Sequence, residues 1–206
     1  MKELLIATTN PAKLAEYQLL LRDFDLKIIS LRDAGIAAEA PEDATTFADN
    51  ARRKARFYFA QAGIATLADD GGLEVDALGG APGVRSHRWL SIDAPDDRAL
   101  AEAIIQRMSD VEAPRRSARL RAAAVLIYRE GEATREVVAE AALEGVIPDH
   151  CYPEVRKGFP YRSVLYLPDR GYYLAELSEE KAAQISQRRS VIAKLSAEFE
   201  RLSRTR

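Results

Sequence analysis

The hydrophobic positions of the chain fall into short continuous runs and into segments where they recur every three or four residues. The short runs predict strands at residues 4–7, 26–31, 64–68 and 163–167. The recurring pattern predicts helices that begin at Pro11, near Thr46 and at Pro95, and a last helix that follows Ser178 and extends to Leu202. Asn10 before Pro11 is typical of a helix start, and Gly63 is typical of the end of the second helix.

The middle of the chain has a different pattern. Residues 117–130 and 133–144 predict a long hairpin, in which Arg119 and Arg121 alternate with apolar neighbours as in a half-exposed strand. Strands and helices alternate before it, so the predicted fold class is α/β with a mixed twisted sheet. Because no repeat or linker interrupts the chain, residues 1–206 are predicted to form a single elongated domain with two lobes.

The composition excludes several classes of protein. The 206 residues are 47% hydrophobic and 30% charged, which is typical of globular domains rather than of disordered chains. The 30 Lys and Arg residues face 32 Asp and Glu residues, and the net charge of -2 disfavours nucleic-acid binding by bulk charge. The lone Cys151 excludes a disulfide framework within the chain, and 2 histidines are too few for a poly-His metal site.

The same considerations bear on location and partners. No segment approaches the roughly 20 apolar residues of a membrane span, and the first apolar run is too short for a signal peptide. We therefore expect a soluble cytoplasmic enzyme with no membrane partner and no stable nucleic-acid partner. An RNA-associated module that uses the Arg119 strand face is an alternative, but the near-neutral net charge argues against it.

Lys13 is the first candidate for chemistry. It occupies about the third position of the first predicted helix, where the helix dipole disfavours a cation. A lysine beside the unpaired amides of a helix start is well placed to bind an anion such as phosphate. The alternative is a solvated surface lysine.

Glu42, Asn50 and Lys54 form a second candidate group. Asn50 and Lys54 are four residues apart and share one face of the second predicted helix, while Glu42 precedes that helix. An amide and a cation on one face could bind phosphate oxygens, and the carboxylate could bind a metal ion. A solvated helix face is the alternative interpretation.

The third candidate is the sequence Asp69-Asp70-Gly71-Gly72, which follows a predicted strand. Adjacent carboxylates repel each other unless a cation or a proton separates them. Magnesium binds such carboxylates together with substrate phosphates and water, although an acidic turn would have a similar sequence. The three groups together supply the parts of a metal-assisted phosphoryl hydrolysis.

At this point the chain resembles the inosine/xanthosine triphosphate pyrophosphatases, which remove deaminated purine nucleotides. The resemblance rests on four motifs in the order and spacing of that family, and it is densest over residues 4–90. The motifs are residues 8–13 (TTNPAK), 46–51 (TFADNA) with Lys54 and Ala55, 68–73 (ADDGGL), and 78–84 (LGGAPGV) followed by Ser86 and Arg88.

The resemblance implies an elongated two-lobed α/β fold with a central cleft, usually a homodimer. It implies Mg²⁺-dependent hydrolysis of a nucleoside triphosphate to the monophosphate and pyrophosphate. It also implies the site residues: Thr8, Asn10, Lys13, Asn50, Lys54 and Gly71 toward the phosphates, Glu42, Asp69 and Asp70 toward the metal ion, and Asp70 as general base with Lys54 as its catalytic partner.

The departures from the family pattern are concentrated in the residues that recognise the base. One departure lies at the phosphate end instead, where the family carries serine and this chain has Gly71. In the base-recognition segment, the family carries an aspartate where this chain has Arg162 after Phe159 and Tyr161. Gln187 replaces the histidine of a Ser-His-Arg triplet whose arginine is kept as Arg188. The family lysine upstream of that triplet corresponds to Lys181 with a spacing one residue longer, and the resemblance assigns these residues to substrate binding.

We therefore predict a pyrophosphatase whose base preference is relaxed or shifted, because base selection depends on matched donors and acceptors. The alternative for the base is that Arg162 points into solvent and that Gln187 supplies the hydrogen bond of the histidine. The alternative for the whole chain is a nucleotide-binding protein of the same fold with weak or lost turnover.

Overall fold

The structure is a computed structural model that describes residues 1–90 and 96–204. The chain divides into two compact units, each built from several segments. Unit 1 comprises Met1–Asp70, Ala122–Ala141 and Arg188–Arg206, and unit 2 comprises Gly71–Arg121 and Ala142–Gln187.

One sheet and several helices make up the fold. The strands are β1 (Lys2–Ile6), β2 (Leu26–Ser30), β3 (Ala65–Val75), β4 (Ser117–Glu130), β5 (Ala133–Val146), β6 (Tyr166–Leu167) and β7 (Tyr172–Tyr173). The α-helices are α1 (Pro11–Leu21), α2 (Phe47–Ala62), α3 (Asp97–Arg107), α4 (Glu179–Ile185) and α5 (Gln187–Arg204). The strand order is β2-β1-β3-β4-β5-β6-β7. Strand β1 is parallel to both β2 and β3, whereas β6 is antiparallel to β5 and β7, so the predicted mixed α/β sheet is confirmed.

Unit 1 begins as the sequence predicts. The Asn10 side chain accepts hydrogen bonds from the backbone amides of Ala12 (2.9 Å) and Lys13 (3.2 Å), and Pro11 is the first helical residue. These contacts satisfy donors that the first turn of a helix leaves unpaired. Apolar side chains of β1, β3, β4 and α2 pack against one another, with Leu5, Ala51, Ala55, Tyr58, Ala68 and Val125 among the buried members.

Helix α2 is delimited at both ends by residues suited to those positions. The Thr46 side chain accepts from the backbone amide of Asp49 at 3.1 Å, and Gly63 ends the helix with a φ of 67°. A positive φ is strained for residues with a side chain, so glycine is the favoured residue there. Both ends agree with the sequence prediction, and they fix Asn50 and Lys54 on the buried face of the helix.

Unit 2 has its own core, formed by α3 and the chain segments around it. Its buried members include Leu73, Val75, Leu100, Ile104, Met108, Leu120, Tyr161, Val164, Leu165 and Leu174. After β3 the chain folds back, and Glu74 pairs with Pro82 in an isolated antiparallel bridge. This return brings Ser86 against Gly72, where an added Cβ would lie 2.0 Å from Ser86 Oγ and 2.8 Å from the Gly83 carbonyl oxygen.

Three sequence predictions of elements are corrected by the structure. Strand β3 does not end at Ala68 but continues to Val75, so Asp69 and Asp70 lie within the strand. The reason is that Leu73 and Val75 are fully buried, and this burial outweighs the turn tendency of the Asp and Gly residues. The predicted strand at 163–167 is reduced to Tyr166–Leu167.

The last predicted helix is in fact two helices. Ser186 separates α4 from α5 with an extended backbone (ψ 158°), and its hydroxyl donates to the Ala183 carbonyl oxygen at 3.1 Å.

Helix α3 begins after Asp96, whose side chain accepts from the Ala99 amide at 2.6 Å, and the predicted start at Pro95 lies outside the described residues. Within the described ranges, no helix combines the length and the hydrophobicity that crossing a membrane would require.

The close approach of Ser86 to Gly72 predicts a specific loss of stability. We expect Gly72→Ala to lower the free energy of unfolding by about 1–3 kcal/mol, because the new methyl group has no space. Urea denaturation measures the change. The double variant Gly72→Ala/Ser86→Gly should recover part of the loss, since it removes the nearest atom; an unfolding midpoint for Gly72→Ala equal to that of the wild type would contradict the prediction.

Candidate active site

Two adjacent carboxylates of β3 form the centre of the candidate site, and all the residues of this group belong to unit 1. Asp69 and Asp70 are 2% and 8% exposed. Side chains of neighbouring residues in a strand point to opposite faces of the sheet. Accordingly, Asp69 contacts residues of α1 and α5, and Asp70 contacts a residue of α2.

Both oxygens of Asp69 are paired with cations. Lys13 Nζ lies 3.4 Å from Oδ1, and Arg188 Nε donates to Oδ2 at 2.9 Å. Burial by itself would raise the pKa of Asp69, but Lys13, Arg188 and Lys54 together hold that pKa well below its usual range. Asp69 is therefore ionised at neutral pH.

Arg188 joins Asp69 to a carboxylate that the sequence analysis did not single out. Its Nη1 donates to Glu16 Oε2 at 3.2 Å, and Glu16 and Arg188 are 3% and 4% exposed. Burial opposes the charge of Arg188, yet Asp69 and Glu16 raise its pKa above the ordinary value. A signal for Glu16 was present in the sequence, because it lies on α1 next to the apolar positions Tyr17 and Leu20, which are buried.

Asp70 is held from the opposite side by Asn50. The Asn50 amide Nδ2 donates to Asp70 Oδ2 at 2.8 Å, while Asn50 Oδ1 accepts from the backbone amide of Ala44 at 2.9 Å. Asn50 is 1% exposed. Through these two hydrogen bonds, its side chain connects the segment before α2 to the Asp70 carboxylate. The sequence prediction placed Asn50 toward the substrate, and the structure places it against Asp70.

Lys54 and Glu42 form the most exposed part of the group. Lys54 Nζ donates to Glu42 Oε1 at 2.9 Å, and the Glu42 side chain is 46% exposed. Burial would lower the pKa of Lys54, but Asp70, Asp69 and Glu42 raise it. For Lys13 the balance is reversed, because burial lowers its pKa more than Asp69 raises it. The alternative of a solvated surface lysine at position 13 is wrong, and so is that of a solvated helix face around Lys54, since both lysine side chains are nearly buried.

Thr8 and Asn10 occupy the segment between β1 and α1. Thr8 Oγ1 accepts from the Asn10 backbone amide at 3.2 Å, and Asn10 in turn caps α1. A helix N-terminus carries partial positive charge and attracts anions. Lys13 on the first turn adds a full positive charge to the same end of the helix, and this end is therefore suited to bind phosphate oxygens.

The carboxylates of this group are possible ligands of a metal ion. Within residues 1–90 and 96–204, no cluster of at least three His, Cys, Asp or Glu side chains is close enough to hold an ion. Magnesium does not need such a cluster, because it binds through one or two carboxylates together with substrate phosphates and water. The oxygen donors of Glu42 and Asp70 fit a magnesium ion of that kind.

Of the residues predicted to recognise the base, Arg188 lies in unit 1 and the others lie in unit 2. Tyr161 and Arg162 belong to a short turn over Pro160–Ser163, and the Tyr161 hydroxyl donates to the Ser86 carbonyl oxygen at 2.6 Å. The guanidinium carbon of Arg162 lies 3.7 Å from the centroid of the Phe159 ring, and its Nη1 donates to Glu179 Oε2 at 2.9 Å. The alternative that Arg162 points into solvent is wrong, since the residue is 4% exposed.

Three further predicted residues lie in unit 2. Gln187 is the buried first residue of α5, Lys181 is exposed on α4, and Gly71 is a partly buried residue of β3. Their assignment to substrate binding stays a prediction.

The Arg119 strand face is occupied by acidic partners. Arg119 contacts Asp76 at 2.8 Å and Glu144 at 3.0 Å, and Glu74 at 3.6 Å. Arg121 also lies 3.7 Å from Glu74. These ion pairs offset the positive charge of both arginines on this strand face.

The low pKa of Asp69 predicts how acid affects the protein. Its folded pKa lies below the unfolded value of about 3.9, so its ion pairs stabilise the fold above pH 4 and are lost as the pH falls further. In that acid range Asp69 contributes a slope of at most about 1.4 kcal/mol per pH unit to the free energy of unfolding. Denaturation at a series of pH values should show a smaller slope below pH 4 for Asp69→Asn, with equal slopes between pH 5 and 7.

Unchanged acid sensitivity in Asp69→Asn would show that the ion pairs do not keep Asp69 charged. The comparison of slopes remains valid when the variant is less stable overall, because each slope is measured within one protein.

Comparison with known proteins identifies the family. The sequence model of the Ham1 family matches residues 4–198. A dITP/XTP pyrophosphatase of Geobacillus kaustophilus is 37% identical over 202 residues, which cover 98% of this chain and 96% of that protein. Among solved structures, a HAM1 protein from Coxiella burnetii superposes with a TM-score of 0.83 at 30% identity, covering 98% of this chain and 100% of that one.

A second solved structure is a nucleoside-triphosphatase / dITP/XTP pyrophosphatase from Mycobacterium abscessus. It superposes with a TM-score of 0.71 at 36% identity, and the match covers 94% of this chain and 98% of that one. These similarities confirm the resemblance on which the sequence analysis relied and the enzyme class that it implied. Because the family model and the relatives extend over nearly the whole sequence, this chain belongs to the Ham1 family.

Proposed function

We propose that this protein hydrolyses nucleoside triphosphates to the monophosphate and pyrophosphate in the presence of Mg²⁺. The observation that carries the proposal is the group in unit 1, where Lys13 and Lys54 lie against the adjacent carboxylates Asp69 and Asp70. Lysines neutralise phosphate oxygens, and carboxylates bind the metal ion and accept a proton. The relatives named dITP/XTP pyrophosphatases support the same activity.

The triphosphate would bind at the start of α1 and beside α2. The Thr8 hydroxyl and the Lys13 ammonium supply donors on one side, at the positive end of α1. Lys54 supplies a second positive charge from α2. Its ion pair with Glu42 involves a half-exposed carboxylate, so phosphate can compete for the ammonium at a modest cost.

Glu42 and Asp70 are the residues that would hold Mg²⁺. Asp69 would contribute indirectly, because it holds the Lys13 ammonium. When bound, the ion neutralises charge on the phosphate oxygens and favours departure of pyrophosphate. Asp70 also acts as general base in this proposal. The water oxygen forms a bond to phosphorus, the bond from phosphorus to the pyrophosphate oxygen breaks, and the water proton moves to the Asp70 carboxylate.

Asn50 would orient this base. Its amide donates to Asp70 Oδ2, and its own position is fixed by the Ala44 amide. A carboxylate with one oxygen fixed presents the other in a defined direction, which general-base catalysis requires. Asn50 is therefore proposed as a positioning residue rather than as a direct substrate contact.

For the base, we propose a non-standard purine such as the deaminated purines of dITP and XTP, with a preference shifted by Arg162. The family has a carboxylate at this position, which accepts hydrogen bonds, whereas a guanidinium only donates them. The Phe159 stack and the Glu179 ion pair hold the guanidinium plane in one orientation. Arginine donors pair well with the O6 and N7 acceptors of a 6-oxo purine, so adenine remains disfavoured while hypoxanthine, xanthine and guanine become less distinct.

A homodimer and a cytoplasmic location are further proposals, and they rest on the resemblance to the family alone.

The first test is the release of pyrophosphate with Mg²⁺ from inosine, xanthosine, guanosine and adenosine triphosphates. Asp70→Asn should lower kcat by at least about 100-fold, because the general base is removed. The matched control is Asp33→Asn, an exposed carboxylate at the end of β2 that should retain wild-type kcat. Wild-type protein that binds nucleotide tightly with Mg²⁺ but releases no pyrophosphate would instead favour the nucleotide-binding alternative.

The second test addresses the base preference. We expect Arg162→Met to lower kcat/KM for the 6-oxo nucleotides by about 10-fold and to leave adenosine triphosphate unchanged, because only the donors are lost. Arg156→Met is the matched control, since Arg156 also approaches Glu179, at 3.9 Å, and is partly exposed. A wild-type protein that strongly prefers inosine and xanthosine triphosphates over guanosine triphosphate would refute the shifted preference.

A further inference from the structure

Three residues of α2 hold the segment that carries Glu42. Residues 40–44, which we call the strap, lie in the irregular chain between β2 and α2. Each of the three helix residues contacts the strap through a hydrogen bond. The pairs are Asn50 with the Ala44 amide (2.9 Å), Lys54 with the Glu42 carboxylate (2.9 Å) and Tyr58 with the Ala40 amide (3.3 Å). The strap therefore runs along α2 in the opposite chain direction.

The spacing of these contacts matches an extended chain against a helix. Four residues advance a helix by about 6 Å, and two residues of extended chain cover about the same distance. Each step of four residues along α2 corresponds to a step of two along the strap, so the successive contacts stay in register. Pro41 favours this conformation, because the residue before a proline, here Ala40, is disfavoured in the helical region.

Tyr58 attaches the strap to the apolar core of unit 1. Its side chain is 3% exposed and belongs to the buried cluster that α2 forms with β1, β3 and β4. Ile36, just before the strap, and Ala40 pack against the same cluster. A tyrosine ring packed in a core keeps one orientation, so its hydroxyl offers the Ala40 amide an acceptor at a fixed position. At Glu42 the hold is looser, because that side chain is 46% exposed and water competes for it.

We propose that Tyr58 is a positioning residue that presents the Glu42 carboxylate to Mg²⁺ by holding the strap on α2. The inference rests on the proposed function, in which Glu42 and Asp70 hold the ion. One end of the strap is connected to Asp70 through Asn50, and Tyr58 holds the other end. Glu42 lies between these two ends. Loss of the Tyr58 hydroxyl would therefore lower the fraction of molecules in which Glu42 and Asp70 can hold one ion together.

Tyr58→Phe tests this role, because it removes one oxygen atom and keeps the buried ring. Hydrogen exchange followed by NMR should show that the strap amides exchange about 3- to 10-fold faster relative to the amides of α5, as expected for the loss of one hydrogen bond. Tyr128→Phe is the matched control, since Tyr128 is 2% exposed in unit 1 and its hydroxyl donates to Glu198. The control should leave strap exchange unchanged, and unchanged strap exchange in Tyr58→Phe would overturn the proposal.

Metal binding without turnover is the measurement that a purely structural role would not change. Mn²⁺ prefers oxygen ligands as Mg²⁺ does, and its free form is measured by electron paramagnetic resonance. Tyr58→Phe should raise the dissociation constant for Mn²⁺ by about 3- to 10-fold, because fewer molecules present Glu42, and Tyr128→Phe should leave it unchanged. In a Glu42→Gln background, Tyr58→Phe should have no further effect, since the carboxylate through which it acts is gone. Additive effects, or an unchanged constant in Tyr58→Phe alone, would overturn the proposal.

Failure of the proposed function is distinguishable from failure of this inference. If the wild-type protein releases pyrophosphate, Tyr58→Phe should raise the Mg²⁺ concentration at half-maximal rate by the same factor, with little change in kcat at saturating Mg²⁺. A lower kcat with an unchanged Mg²⁺ requirement would contradict the inference. If the wild type releases no pyrophosphate, the function fails, and the Mn²⁺ constants alone decide the inference. A wild-type protein that binds no Mn²⁺ would overturn it.

Discussion

Charge balance inside unit 1 is the constraint on which the rest of the candidate site depends. The cations Lys13, Lys54 and Arg188 lie among the carboxylates Glu16, Asp69 and Asp70, and all six side chains are largely buried. Removing one member of a buried pair leaves a charge without a partner, which typically costs about 3–5 kcal/mol. The arrangement is therefore stable as a set, and each member is fixed by its neighbours before any substrate binds.

The alternation of side chains along a strand divides this set into two parts. Because Asp69 and Asp70 are consecutive residues of β3, they point to opposite faces of the sheet. Asp69 contacts Lys13 of α1 and Arg188 of α5, whereas Asp70 contacts Asn50 of α2. Two adjacent carboxylates that would repel each other in a turn are thus separated, and each acquires partners suited to a different task.

The local features of the fold were predictable from the sequence because they depend on neighbouring residues. Asn10, Thr46 and Gly63 delimit their helices through contacts that span only a few positions. The continuation of β3 was not predictable in this way, since burial of Leu73 and Val75 in the core of unit 2 decides it. Nor does the apolar spacing around Ser186 indicate a break, because the pattern of buried positions continues from α4 into α5.

The site was predictable to a similar degree. The motifs indicated Lys13, Lys54, Asp69 and Asp70, but they did not indicate which partner each charge would have. Glu16 and Arg188 are 172 residues apart in sequence, so only the folded chain brings them together. The sequence does place Glu16 on the apolar face of α1, which predicts a buried charge. It does not identify the cation that pairs with this carboxylate.

The two sets of candidate residues differ in how freely their chemistry can change. In unit 1, Asp69 has a partner at each oxygen, and replacing either partner alone would leave a buried charge unbalanced. In unit 2, Arg162 is held by a ring and by Glu179, whose side chain is 51% exposed. Water can solvate that carboxylate when the guanidinium is absent, so the residue at position 162 can change at lower cost. In the proposed function, charge balance therefore constrains the residues assigned to the phosphates more strongly than the residue assigned to the base.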